Sequence, residues 1–134
     1  MVLDYKVTLV LLGCLNALGL EDGSVQNSQF SSYTHDAGWD PFKARLNQGG
    51  AWCSDTNDVN HEFLQIDLLN VRHISLIATQ GVRGRLWRSY YVETFVIEYS
   101  YDGTTWFIYK GRNGSVQVSG IFSFNNNYSF DKRF

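Results

Sequence analysis

An all-β fold of antiparallel strands is predicted by three features of the sequence. Strand-forming residues recur in short runs between clusters of Gly, Asn, Asp and Ser; no apolar period of helical spacing is sustained; and Asp102-Gly103 sits between two β-rich runs as a hairpin signal. The 134 residues fit one domain, and 44% hydrophobic with 16% aromatic residues is ample for one packed core. A formal charge of -2 supplies no global basic field, which argues against nucleic acid as a partner.

Taken in order, residues 1–13 open with the apolar run Val7 to Leu12, shorter than the ~20 residues a membrane-spanning helix needs. Asp4 offsets Lys6 and no small-x-small cleavage pattern follows, so this stretch reads as a signal remnant or as an arbitrary fragment start. Asp22-Gly23 is a turn signal, and Ser24 to Tyr33 reads as a short strand with Val25 and Phe30 at its apolar positions. A polar loop from Thr34 to Phe42 holds Trp39 and Pro41, the latter pushing Asp40 out of the helical region. Lys43 to Leu46 returns to the body, Trp52 reads as a core or platform aromatic, and Ser54 to Glu62 is a second, acidic loop.

Phe63, Leu64, Ile66 and Leu68 around Gln65 and Asp67 read as a buried strand, with His73 to Gln80 as its successor, closed by Gly81. A third loop, Val82 to Tyr90, sets Arg83, Arg85 and Arg88 beside Leu86 and Trp87. Tyr91 to Tyr101 reads as a long strand with Tyr91, Phe95, Ile97, Tyr99 and Tyr101 on one face. Asp102-Gly103 then turns it into Thr104 to Lys110, with Trp106 expected to pack inside the hairpin. Ser115 to Val118 and Ile121 to Phe124 read as further short strands before a polar tail.

No convergent catalytic set is visible. His61-Glu62 lacks a second histidine four residues on, and neither a Gly-x-Ser-x-Gly elbow nor a phosphate-cradling glycine loop occurs. Cys14 and Cys53 with His61 fall short of the four ligands of a structural zinc site, so no metal or other cofactor is expected. The two cysteines alone leave three options: a mutual bridge, two thiols, or partners outside this chain. Asn113-Gly-Ser and Asn127-Tyr-Ser fit the glycosylation acceptor pattern.

Cys14 followed by LGLEDG, then WDP, KARLN, AWC, FLQIDL, ATQG, YVETFVIEYSYDGTTW and GIFSFNN cover nearly all of Cys14 to Asn127. Taken together and in this order, they resemble the discoidin domain, also called the coagulation factor type C domain. The resemblance implies a distorted jelly-roll barrel of about eight antiparallel strands, from residue 14 onward, in a secreted, non-catalytic binding module. It also implies closing strands ending in Gly-Cys that have no counterpart before Phe134, so residues 14–134 are expected to be incomplete at the C-terminus. In the family Cys14 would pair with that final cysteine and Cys53 with one just upstream.

The resemblance further implies that ligands are met by three loops at one end of the barrel. Here those loops supply Tyr33, His35, Asp36 and Trp39; Asp55, Asn57 and Asp58; and Arg83, Arg85, Leu86, Trp87 and Arg88. A tryptophan stacks on a sugar's apolar face while Arg, Asp and Asn bond its hydroxyls, and arginine also pairs with sulfate or carboxylate. The expected function is extracellular adhesion, through a cell-surface or matrix glycan or protein. The alternative is peripheral binding to anionic phospholipid, with Leu86 and Trp87 entering the bilayer and the neighbouring arginines meeting its headgroups.

Overall fold

The computed structural model describes residues 6–7, 9–13, 16–55, 61–74, 76–83, 89–92, 94–111 and 114–115. Among them are eleven short strands: β1 (Lys6–Val7), β2 (Leu9–Gly13), β3 (Asn16–Ala17), β4 (Phe30–Ser32), β5 (Trp52–Cys53), β6 (Leu64–Ile66), β7 (Leu76–Thr79), β8 (Val82–Arg83), β9 (Ser89–Tyr90), β10 (Glu98–Tyr99) and β11 (Phe107–Ile108). Helical structure in the described residues is limited to two 3-10 turns, Asn27–Gln29 and Pro41–Lys43. Every strand pairing is antiparallel: β1 with β5, β2 with both β3 and β7, β4 with β6, β8 with β9, and β10 with β11. The all-β expectation therefore holds.

The apolar run near the N-terminus lies in the sheet. Leu9 pairs with Thr79, Val10 with Ala78, Leu11 with Ile77 and Leu12 with Leu76, while Lys6 and Val7 pair with Cys53 and Trp52. β-branched and aliphatic residues on both sides suit such a ladder.

Several elements are shorter than the sequence suggests. Only Phe30–Ser32 of the expected Ser24 to Tyr33 strand is extended, because the Gln29 side chain accepts the Gln26 N–H at 2.8 Å and closes a 3-10 turn ahead of it. Of Phe63 to Leu68, the strand keeps Leu64–Ile66, and of His73 to Gln80 it keeps Leu76–Thr79. Within Tyr91 to Tyr101, Glu98 and Tyr99 pair across to Ile108 and Phe107, and the connection between them spans Ser100–Trp106. Asp102 shapes that connection by accepting from Thr104 N at 2.8 Å, Thr105 N at 2.7 Å and Ser100 Oγ at 2.9 Å. The wider turn leaves Trp106 exposed, contrary to its expected place inside the hairpin. Gly81 is required where the β8–β9 pair begins, since a Cβ there would meet the Tyr90 carbonyl oxygen at 2.9 Å.

The main core is Leu20, Val25 and Phe30, packed on by Leu18, Phe42, Ile66, Leu68 and Ile77. Arg45 lies buried beside it, a position that needs full compensation of the charge. Its Nη1 donates to the Leu20 carbonyl at 2.6 Å, and its Nη2 donates to the Val25 carbonyl at 2.6 Å and to Asn27 Oδ1 at 2.9 Å. The guanidinium also stands 4.6 Å from the centroid of the Phe30 ring, on whose face it is attracted electrostatically. Burial pushes the Arg45 pKa down and the nearby Asp22 carboxylate opposes the shift; an arginine remains charged throughout. One side chain thus fastens the segment from Leu20 to Asn27 onto the chain that leaves the first loop.

Arg45→Ala leaves two buried carbonyls without their donor, and the urea midpoint should fall by the equivalent of about 3 kcal/mol with an unchanged slope. Arg45→Lys, a point charge that cannot fork to both carbonyls, should fall between the two. An unshifted midpoint in the alanine variant would refute the clamp.

Candidate functional site

The first loop hangs on β5. Trp52 is buried to 3% exposure, and its indole N–H donates to the Thr34 carbonyl at 3.0 Å. Asp36 N donates to the Cys53 carbonyl at 2.8 Å, and Cys53 N donates to the Trp39 carbonyl at 3.3 Å. Between these anchors the chain turns at Ala37 and Gly38, where Gly38 takes a φ of 84° and Asp36 Oδ1 accepts the Ala37 N–H at 2.7 Å. Pro41 holds Asp40 extended, at φ -57° and ψ 151°, as its ring demands of the preceding residue. Lys43 Nζ then donates to the Gly38 carbonyl at 2.6 Å and pairs with Asp40 at 3.1 Å, while His35 Nε2 lies 3.8 Å from the other Asp40 oxygen.

Thr34 joins this loop to the next. Its hydroxyl donates to Glu62 Oε1 at 2.6 Å and accepts the Asp55 N–H at 3.2 Å, so the two described flanks of the second loop meet at one side chain. Tyr33 stands beside it at 58% exposure, its ring centroid 6.2 Å from that of His61 and 6.3 Å from that of Phe63, itself 46% exposed. The Tyr33 N–H donates to the Phe63 carbonyl at 3.3 Å, which extends the β4–β6 pairing by one bond. The result is a solvent-facing group of rings with the exposed carboxylates of Asp36 and Asp55 on the same pair of loops.

Of the residues singled out from sequence, Tyr33 lies in the aromatic group, His35 and Asp36 are exposed on the first loop, and Asp55 opens the second. Trp39 is half-buried and its backbone serves the loop. Arg83 is placed by its backbone alone, paired with Ser89. Asn57, Asp58, Arg85, Leu86, Trp87 and Arg88 lie outside the described residues, as do Cys14, Asn113 and Asn127. Cys53 is a buried thiol whose Sγ donates to the Ser54 carbonyl at 3.4 Å. The structure adds Thr34, His61 and Phe63 to this end of the fold. The signal for Phe63 was its strand parity, which sets it on the face of Gln65 and Asp67 and not with Leu64 and Ile66.

A separate polar cleft of about 460 Å³ is lined by Glu21, Asp22, Asn27, Arg45 and Gln48 among others. Its Glu21 is engaged from both sides: neighbouring Asn47 Nδ2 donates to Glu21 Oε1 at 2.9 Å, and Gln48 Nε2 donates to the Glu21 carbonyl at 2.7 Å. Among the described residues no cluster of His, Cys, Asp and Glu is arranged to hold a metal ion, and no helix is long and apolar enough to cross a membrane.

Residues 26–132 match the F5/8 type C domain. The chain is 40% identical to coagulation factor V of Bos taurus over 123 residues, which is 86% of this chain and 5% of the relative. It is 40% identical over 114 residues to the venom prothrombin activator pseutarin-C non-catalytic subunit of Pseudonaja textilis, 83% of this chain and 8% of that protein. Lactadherin of Bos taurus is 40% identical over 115 residues, 78% of this chain and 26% of the relative. The chain therefore spans a small part of each of these proteins.

Three carboxylates in the described structure are held below the ordinary carboxylate range: Asp22 by the Ser24 N–H, Asp40 by the Lys43 ammonium, and Asp102, most strongly, by the N–H groups of Thr105 and Thr104. A carboxylate with a depressed folded pKa stabilises above its unfolded value and loses that contribution as pH falls. The melting temperature should therefore hold from pH 7 to about 5 and drop below about pH 4. Asp102→Asn should make the acid-side drop shallower; an equally steep drop in that variant would contradict the assignment.

Proposed function

The chain belongs to the F5/8 type C domain family, and on that footing we propose that it is a non-catalytic extracellular recognition module. It binds a cell-surface or matrix glycan or protein through the end of the fold that carries Tyr33, His61 and Phe63. The observation behind this reading is the exposed ring group next to the two loops that carry Asp36 and Asp55. Aromatic faces stack on the apolar face of a sugar or on a partner's side chains, and carboxylates accept from hydroxyl, ammonium or guanidinium donors. Asn57 and Asp58 of the second loop, with Arg83, Arg85 and Arg88 of the third, complete the proposed contact set. A role without turnover is supported by the likeness to pseutarin-C, named as a non-catalytic subunit.

Charge separates this reading from phospholipid binding. Asp36, Asp40, Asp55 and Glu62 outnumber Lys43 on the described first and second loops, and a negative surface is repelled by anionic headgroups. Peripheral binding to anionic phospholipid is the second reading, and it rests on Leu86 and Trp87 among their arginines together with the likeness to factor V and lactadherin over most of the chain.

A glycan array and a panel of immobilised matrix proteins, read beside vesicle sedimentation, distinguish the two. Tyr33→Ala with Asp55→Ala should weaken glycan or protein binding by about tenfold or more, as expected for a central aromatic contact, and leave vesicle binding unchanged. Trp87→Ala abolishing vesicle binding, with no ligand sensitive to Tyr33 or Asp55, would replace the first reading by the second.

A further inference from the structure

The dipeptide Asp-Gly occurs twice in the chain, at Asp22-Gly23 and at Asp102-Gly103. Both lie in exposed turns, both glycines take the left-handed region, at φ 84° and 74°, and a Cβ on either would meet open space. A hydroxyl residue, Ser24 or Thr104, follows each. Such a bond carries its own reagent. With no side chain on the glycine to crowd the approach, its nitrogen can attack the aspartate Cγ. An N–Cγ bond forms and closes a succinimide ring, while the Cγ–O bond breaks and the carboxyl hydroxyl leaves as water with the amide proton. Water then opens the ring, and opening at the main-chain carbonyl leaves an isoaspartyl residue, in which the chain runs through Cβ and the former main-chain carbonyl carbon carries the free carboxylate. The mass is unchanged.

Ring closure needs a protonated carboxyl, because an ionised carboxylate is a poor electrophile, and it needs the glycine N–H free to swing toward Cγ. At Asp102 the fold blocks both. Oδ1 accepts from Ser100 Oγ at 2.9 Å, Thr104 N at 2.8 Å and Thr105 N at 2.7 Å, and Oδ2 accepts from Thr105 Oγ1 at 3.0 Å, bonds that favour the ionised form. The Gly103 N–H meanwhile donates to Ser100 Oγ at 2.9 Å. At Asp22 the bonds come from Ser24 alone, with the Ser24 nitrogen 2.9 Å from Oδ1, and among the described residues no acceptor engages the Gly23 N–H. We propose that Asp22-Gly23 is a site of spontaneous main-chain isomerisation, and that the bonds through Ser100 lock the same dipeptide at Asp102-Gly103 against it.

Its position gives the reaction a consequence. Asp22 lies between Leu20 and Val25, whose carbonyls receive the Arg45 guanidinium, in a turn that Val25 N closes on the Gly19 carbonyl at 2.9 Å. An isoaspartyl residue lengthens that closed turn by one main-chain atom, so the two carbonyls lose their spacing and the clamp loosens as the molecule ages.

Peptide mapping of the full chain, held for weeks at neutral pH and physiological temperature both native and in urea, tests the assignment, with isoaspartate scored at each site by resistance to a protease that cleaves before aspartate. In the native chain conversion at Asp22 should exceed that at Asp102 by about tenfold or more, since several bonds must first break at Asp102. In urea the two sites should convert at similar rates. Ser100→Ala should raise conversion at Asp102 and leave Asp22 unaffected. The aged wild type should melt at a lower temperature than the fresh protein, whereas aged Asp22→Glu, which cannot close the same ring, should keep its initial value. The proposal is overturned by equal conversion at the two sites in the native chain, by the same disparity in urea, by a rate at Asp102 in Ser100→Ala equal to that of the wild type, or by an aged Asp22→Glu that loses as much melting temperature as the aged wild type.

Discussion

A single buried guanidinium ties the segment before β4 to the chain that follows the first loop. Arg45 reaches back to two main-chain carbonyls, Leu20 and Val25, and packs its plane against Phe30, so the turn-rich segment before β4 is tied to the chain that emerges from the first loop. Few residues intervene between that clamp and the loop. Ala44 is fully buried, the Pro41–Lys43 turn precedes it, and the Lys43 ammonium grips the Gly38 carbonyl and Asp40. Loss of the clamp frees two buried acceptors and the base of a loop at once.

On that base the ends of the β4–β6 ladder differ in chemistry. One carries rings and carboxylates fixed through Thr34; the other carries the exposed Leu69 and Val71 beside Arg72, with Leu69 at a left-handed φ of 61°. Surfaces of opposite character are suited to different partners. The difference arises because register, as well as residue identity, decides which side chains stand at each end of the ladder.

Much of the fold was legible because it follows from local rules. Short strand-forming runs and the Asp102-Gly103 turn indicate an antiparallel all-β chain, Pro41 dictates the extended Asp40, and the ordered motifs from LGLEDG to YVETFVIEYSYDGTTW mark the family. Strand lengths were not legible, since side-chain bonds from Gln29 and Asp102 cut the ladders short in competition with pairing. Trp106 illustrates the consequence: the carboxylate two residues into the turn widened it and left the indole in solvent. Arg45 was equally hidden, because its acceptors are distant main-chain carbonyls and no neighbouring residue announces them. At the candidate site, position within loops singles out Tyr33 and Asp55, whereas the apolar run from Phe63 to Leu68 reads as buried although Phe63 shares strand parity with Gln65 and Asp67.

The Arg45 clamp positions the first loop as well as the core. Amide hydrogen exchange on the wild type and Arg45→Lys tests it most directly, read at Val25 and at the loop amides of Asp36 and Cys53. Exchange should be faster at all three in the variant, because the loop is built outward from the clamp. Faster exchange confined to Val25, with Asp36 and Cys53 protected as in the wild type, would contradict it.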